Sequence, residues 1–235
     1  MLILLSCAKT MDFSVKAKTP LQTKPIFEQN AIEIAKQMSS YSAEELSEIL
    51  KVNNAIGEEN RVRYKYFGDK KTPQKEAILA YNGIVFKKLG VEDFSKEDFL
   101  YAQDHLRITS FCYGILRPLD LIYPYRLEGN VVLPTTNKSM FNYWKDKLTD
   151  TLIKDTTKVG GVLYNLASAE MKKLFDWKRI EKELTVISPE FKIIKNGKPT
   201  TIVIYTKMAR GETARQIIKN RIENPNNVTN ISKEF

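Results

Sequence analysis

Three arginines, one histidine and two acids fall between positions 105 and 128: His105, Arg107, Arg117, Asp120, Arg126 and Glu128. A guanidinium is a planar, permanently charged fork that grips phosphate or carboxylate with paired hydrogen bonds. If Arg107, Arg117 and Arg126 converge, they form an anion site, with Asp120 and Glu128 holding them in place. If each keeps to a neighbouring acid, the same residues form an internal salt-bridge network. A second cluster, Tyr205-Thr206-Lys207-Met208-Ala209-Arg210-Gly211, reads as a strand turning into a helix. There Lys207, Arg210 and Arg215 would stand beside free helix N–H groups, and Ala209 and Gly211 would let a phosphate approach the backbone. The plainer reading of that cluster is a solvated basic edge. A third, Ser6-Cys7-Ala8-Lys9-Thr10, follows an apolar run, so Lys9 and Thr10 would sit at the carboxyl edge of a sheet. It lacks the glycines of a P-loop. Asn165 and Ser168 follow another apolar run and either join that edge or cap a helix.

Other chemistries find little support. The two cysteines, Cys7 and Cys112, are far apart and His105 is the one histidine, so no metal comb exists and no metal ligand is assigned. No GxSxG elbow occurs. His105 could act as a general base, although a lone histidine is more often structural, and Cys112 reads as core. The catalytic residues, if any, stay unassigned, and no cofactor is expected. A net charge of +9, from 37 Lys+Arg against 28 Asp+Glu, favours polyanionic partners. Leu4-Leu5-Ser6-Cys7 has the look of a lipoprotein box, but no Lys or Arg precedes it and the apolar run is short, so it reads as a strand. No 18-residue apolar stretch spans a membrane, and the cysteine count suits a reducing cytosol.

The elements that must position these clusters are set by periodicity. Residues 2–6 form a central strand, and residues 14–25 a polar loop with Pro20 and Pro25 as breakers. Apolar spacing predicts helices over 27–38 and about 54–67. Between them, Ser42 and Glu45 form a capping box. Pro73 should open another helix. Ser95, with Asp98 three residues on, caps a helix running toward Leu106 and Ile108. Thr109–Pro118 is a turn or strand, 119–133 is extended, and 141–152 is helical around Trp144 and Leu148. Strands come next at 162–166, 186–188 and 191–194, with a helix from Ser168. Asn196-Gly197 marks a hairpin, 200–205 is its return strand, and 211–222 is the last helix. The pattern predicts an α/β protein: a single domain over 1–235 with a central mixed sheet flanked by helices.

Taken together, the clusters resemble the YaaA-like peroxide stress family. The resemblance rests on Ser6-x-Ala8-Lys9-Thr10, Ala80-Tyr81-x-Gly83-x-Val85, His105-Leu106-Arg107, Tyr113-Gly114-x-Leu116-Arg117-Pro118-Leu119-Asp120, Pro124-Tyr125-Arg126-Leu127-Glu128, Asn165-Leu166-Ala167-Ser168 and Lys207-x-Ala209-Arg210-Gly211. It implies a cytoplasmic protein of the hydrogen-peroxide stress response, linked to lower free iron and less oxidative DNA damage. It also implies a basic cleft and a helix-hairpin-helix element that binds duplex or branched DNA with weak sequence preference. The candidate for that element is helix 95–109 followed by Ser110–Gly114, with Phe111 where a glycine would help. Cys7 stands where the family usually has proline. The chain stops at Phe235, where relatives continue, so the resemblance predicts a shortened C-terminal segment. The competing function is an enzyme acting on a small anionic or nucleotide substrate in the same cleft.

Overall fold

A computed structural model describes residues 1–14 and 17–228. Part of the predicted 14–25 loop and the expected shortening at Phe235 therefore lie outside the described residues. The chain starts in β1 (Leu2–Leu5), whose four side chains are all buried. Such an unbroken apolar run belongs to a strand covered on both faces. Helix α1 (Glu28–Met38) turns Ala31, Ile34, Ala35 and Met38 inward. α2 (Ala43–Leu50) opens on the Ser42–Glu45 capping box, and α3 (Asn54–Lys65) opens on an Asn53 cap. Next come β2 (Lys75–Glu76), α4 (Ala77–Ala80), α5 (Ile84–Leu89) and α6 (Lys96–His105), the last with its Ser95–Asp98 capping box. The middle of the chain gives β3 (Leu106–Ser110), β4 (Gly114–Leu116), β5 (Leu121–Ile122), β6 (Val132–Leu133), β7 (Lys138–Ser139) and the long α7 (Met140–Lys158). β8 (Val162–Asn165), α8 (Ala169–Lys172), α9 (Trp177–Glu183), β9 (Thr185–Ile187), β10 (Ile193–Lys195), β11 (Lys198–Thr200) and α10 (Val203–Lys219) complete it.

The central sheet has the order β4-β3-β1-β8-β9. β1 pairs in parallel with β3 (Ile3 beside Leu106) and with β8 (Leu4 beside Asn165), β8 pairs in parallel with β9, and β4 returns antiparallel to β3. The mixed α/β architecture is the expected one. One contiguous core runs from Met1 to Val228. From β1 the chain departs toward β3 on one side, and it later enters β8 on the other. A crevice therefore opens between the loops that leave the carboxyl ends of β1 and β8, the usual ligand position in such sheets.

Three expectations change. The helix from Ser95 does not reach Ile108: it ends at His105, and residues 106–110 become β3. All five of those residues are buried, and parallel pairing with β1 outweighs the helical spacing of Leu106 and Ile108. Pro73 does not open a helix, because the chain runs extended through β2 into the four-residue α4. The return strand stops at Thr200, and α10 begins at Val203 rather than Gly211. The hairpin itself is as expected, with Asn196 and Gly197 both left-handed at φ 52° and 74°, as a two-residue hairpin turn requires.

Candidate anion-binding cleft

The crevice is a cleft of about 450 Å³. Each of the three adjacent parallel strands delivers part of it. The loop after β1 contributes Ser6–Thr10, the turn after β3 contributes Phe111, and the segment after β8 contributes Leu166, Ser168, Glu170 and Met171. Residues 83–86 at the start of α5 form another side, Tyr125–Glu128 another, and Lys207 and Arg210 of α10 complete the mouth. Ser6 Oγ accepts the Ser168 N–H at 2.9 Å and ties the β1 loop to the β8 loop. The Thr10 hydroxyl donates to the Asn82 carbonyl and ties the same loop to the start of α5.

Four cations and two carboxylates line the cleft, a net charge of +2. Lys9 Nζ lies 2.8 Å from Glu128 Oε2, and Arg126 Nη2 lies 3.3 Å from Glu128 Oε1. The second contact is an ion pair without hydrogen-bond geometry. Glu128 Oε1 and Arg126 Nε are both buried with no hydrogen-bond partner. Lys207 and Arg210 stand one helical turn apart, and neither has a hydrogen-bond or ion-pair partner among the described residues. Arg210 is half-buried, and burial lowers its pKa; a guanidinium stays charged all the same. Cys7 lines the cleft too, but burial, followed by the Glu128 carboxylate, pushes its thiol up to about 12. It is a protonated, weakly nucleophilic group at neutral pH.

Of the residues singled out from sequence, Lys9, Thr10, Arg126, Glu128, Ser168, Lys207 and Arg210 meet here. The others do not. Arg107 is buried and donates to Asp155 Oδ2 of α7 at 2.7 Å and to the Gln103 and Leu106 carbonyls. Arg117 is held by the fully buried Asp120 through Nη2 at 2.8 Å and by the Lys24 carbonyl. Arg215 pairs with Asp93 and donates to the Leu89 carbonyl. Asn165 does not line the cleft. Its Oδ1 accepts the Ala167 N–H and its amide donates to Ser188, so it braces the loop behind Ser168. His105 bonds the Met1 carbonyl and stacks on Tyr101, at the opposite end of β1 from the cleft.

Two glycines also take other roles. Gly211 is not at a helix start. It lies inside α10, where a Cβ would come 2.1 Å from the Val85 carbonyl oxygen, so it lets α10 press its backbone against α5. The phosphate corner expected at Lys207–Gly211 thus has side chains and no free N–H groups, since those residues are mid-helix. Gly114 sits at φ 72° as the first residue of β4, where the chain leaves the β3–β4 turn, and a Cβ there would meet Trp144 and Leu148. After α6 the chain enters a β-hairpin, so residues 95–114 are not a helical hairpin. The chain does contain two helices joined by a short turn elsewhere. α2 and α3 are linked by residues 51–53, Lys51 is left-handed at φ 54°, and Gly57 approaches Ala43 and Ser47. Sequence reading missed Phe86, Phe111, Leu127 and Met171 as wall residues, because nothing but the fold separates a core aromatic from a cleft floor.

A family model described as peroxide stress protein YaaA matches residues 1–234. A UPF0246 protein of Bacteroides fragilis is 62% identical over 224 residues, covering 95% of this chain and 87% of that protein. A UPF0246 protein of Bacteroides thetaiotaomicron is 57% identical over 235 residues, covering 100% and 91%. A more distant one, from Crocosphaera subtropica, is 39% identical over 226 residues, covering 95% and 88%. The chain therefore belongs to the YaaA peroxide stress family, to which the UPF0246 proteins are its close relatives.

Proposed function

We propose that this chain serves the peroxide-stress response in the cytoplasm as a DNA-binding protein that shields DNA from oxidative damage. The observation that carries the reading is the pair of cations on α10: Lys207 and Arg210 line a cleft of net positive charge and have no ion-pair partner among the described residues. Lys9 and Arg126, which share Glu128, line the same cleft. Such side chains neutralise backbone phosphates and position DNA without reading bases. The α2–α3 pair, with exposed Lys51 in its turn, best fits the hairpin element that the family resemblance implies and supplies a second backbone contact. Lower free iron is read as an indirect effect: among the described residues, no three His, Cys, Asp or Glu side chains are grouped to hold a metal.

The test is duplex-DNA affinity measured across a salt series. The log–log slope should approach about −0.9 per engaged phosphate, and Lys207→Ala/Arg210→Ala should flatten it by about 1.8. An affinity indifferent to salt, or a slope that the double change leaves alone, rules the reading out. A second reading, a small anionic or nucleotide substrate, is favoured by the bounded shape and apolar walls of the cleft.

A further inference from the structure

The cleft is much smaller than a duplex, yet it is too well walled to be a mere groove between phosphate contacts. Below the cations, its sides are Phe86, Phe111, Leu127, Leu166 and Met171, all nearly buried. A backbone phosphate uses none of that apolar surface. A volume of about 450 Å³ lies in the range that encloses a small organic ligand. The polar inventory is divided as well. Lys207 and Arg210 carry free positive charge at the mouth. Arg126 Nε and Glu128 Oε1, a donor and an acceptor, are buried in the wall without hydrogen-bond partners. Buried polar atoms in a folded protein are nearly always satisfied, so these two, two residues apart on one segment of the wall, point to a polar group that would engage Arg126 and Glu128 after a small side-chain adjustment. The required ligand has an anionic end, a flat apolar body and a far edge with both donors and acceptors. A nucleotide has all three, and proteins that hold single bases use this combination of stacking and edge contacts.

We propose that the cleft holds one nucleotide, its phosphate on Lys207 and Arg210 and its base between the apolar walls with its edge toward Arg126 and Glu128. The proposal rests on the phosphate-binding reading of Lys207 and Arg210. The nucleotide is either a free monophosphate or one unit extruded from a DNA strand. The carboxylate Glu170 at the rim adds a like-charge barrier that disfavours bulkier polyphosphates inside the cleft.

The experiment titrates the intact chain with thymidine 5′-monophosphate, thymidine and inorganic phosphate by calorimetry, and separately with a duplex containing 2-aminopurine. The monophosphate should bind, with thymidine and phosphate each at least about tenfold weaker, because each lacks one half of the recognition. Arg210→Gln should weaken the monophosphate by at least about tenfold through loss of a charge-assisted hydrogen bond. Ile84→Trp fills the cleft without changing charge and should abolish monophosphate binding; circular dichroism melts check that each variant folds. If Ile84→Trp does not fold, Arg210→Gln carries the test. A rise in 2-aminopurine emission assigns the nucleotide to an extruded unit of the strand. Monophosphate binding with unchanged emission assigns it to the free pool. Steep salt-dependent duplex binding with no monophosphate binding and no emission change overturns this inference and leaves the DNA reading standing. Inorganic phosphate binding as tightly as the nucleotide, or a folded Ile84→Trp that still binds it, overturns the inference too. Monophosphate binding with no duplex binding at any salt keeps the inference and ends the DNA reading.

Discussion

At the amino ends of the central strands, Arg107 of β3 is buried against Asp155 at 2.7 Å and His105 is bonded to the Met1 carbonyl. At the carboxyl ends, Arg210 and Lys207 look into a cleft with no carboxylate of their own. The two regions draw on the same residue types, and one sheet carries both. The difference lies in commitment. An arginine whose acid is buried beside it is part of the fold, and extracting either partner strands a charge. An arginine left half-buried and unpaired keeps its binding capacity for something outside the chain. Arg117 on Asp120 and Arg215 on Asp93 side with Arg107. Lys9 and Arg126 fall between, because both lean on the single carboxylate of Glu128.

Asp155→Ala should break the comparison hardest. It leaves Arg107 buried and unpaired, at a cost of about 3–5 kcal/mol, or a melting temperature lower by roughly 6–20 °C for a chain of this size. Arg107→Met/Asp155→Leu should recover most of that loss, whereas a melt unchanged in Asp155→Ala would place Arg107 among the free cations. Gly211→Val comes next. Its side chain meets the Val85 carbonyl and Lys88, so it should cost about 1–3 kcal/mol in urea unfolding and weaken the proposed DNA binding by moving the helix that bears both cations.

The smaller effects sharpen the contrast. Lys207→Ala/Arg210→Ala should cost less than about 1 kcal/mol in the same urea series, since no partner is orphaned. A larger loss would mean that these residues belong to the fold after all. Asp98, a paired carboxylate, sharpens the contrast through pH. Burial alone would raise its carboxyl, but the Ser95 N–H, Lys219 and Arg221 outweigh burial and hold it at about 2. A carboxyl depressed in the folded state contributes stability above its unfolded pKa and loses it as pH falls toward the folded value. The stability gap between wild type and Asp98→Asn should therefore be full at pH 6 and close between about pH 4 and pH 2 in acid unfolding curves.

How much of this was legible in the sequence varies with the kind of signal. β1, both capping boxes and the Asn196-Gly197 turn were legible because each is decided by a few adjacent residues. β3 was not, because Leu106 and Ile108 carry helical spacing onward from α6 and only pairing with β1 overrides it. The start of α10 was hidden for a different reason. Ile202 at its N-cap offers no side-chain bond, and the β-branched run Thr200–Ile204 that spans it imitates a strand. As for the site, four of the seven basic candidates reach the cleft. The other three were indistinguishable from them because Asp155 and Asp93 are distant in sequence and Asp120 fits either role.

The contact at Gly211 bears on the cleft as a whole. α10 supplies the two free cations and α5 lines the cleft beside it, and these helices touch main chain to main chain at Val85. The seat of the charged helix is thus fixed by a peptide carbonyl, which has no rotamers to adjust. For the proposed ligand, the placement of both cations is therefore a property of the backbone and not of side-chain choice on α10.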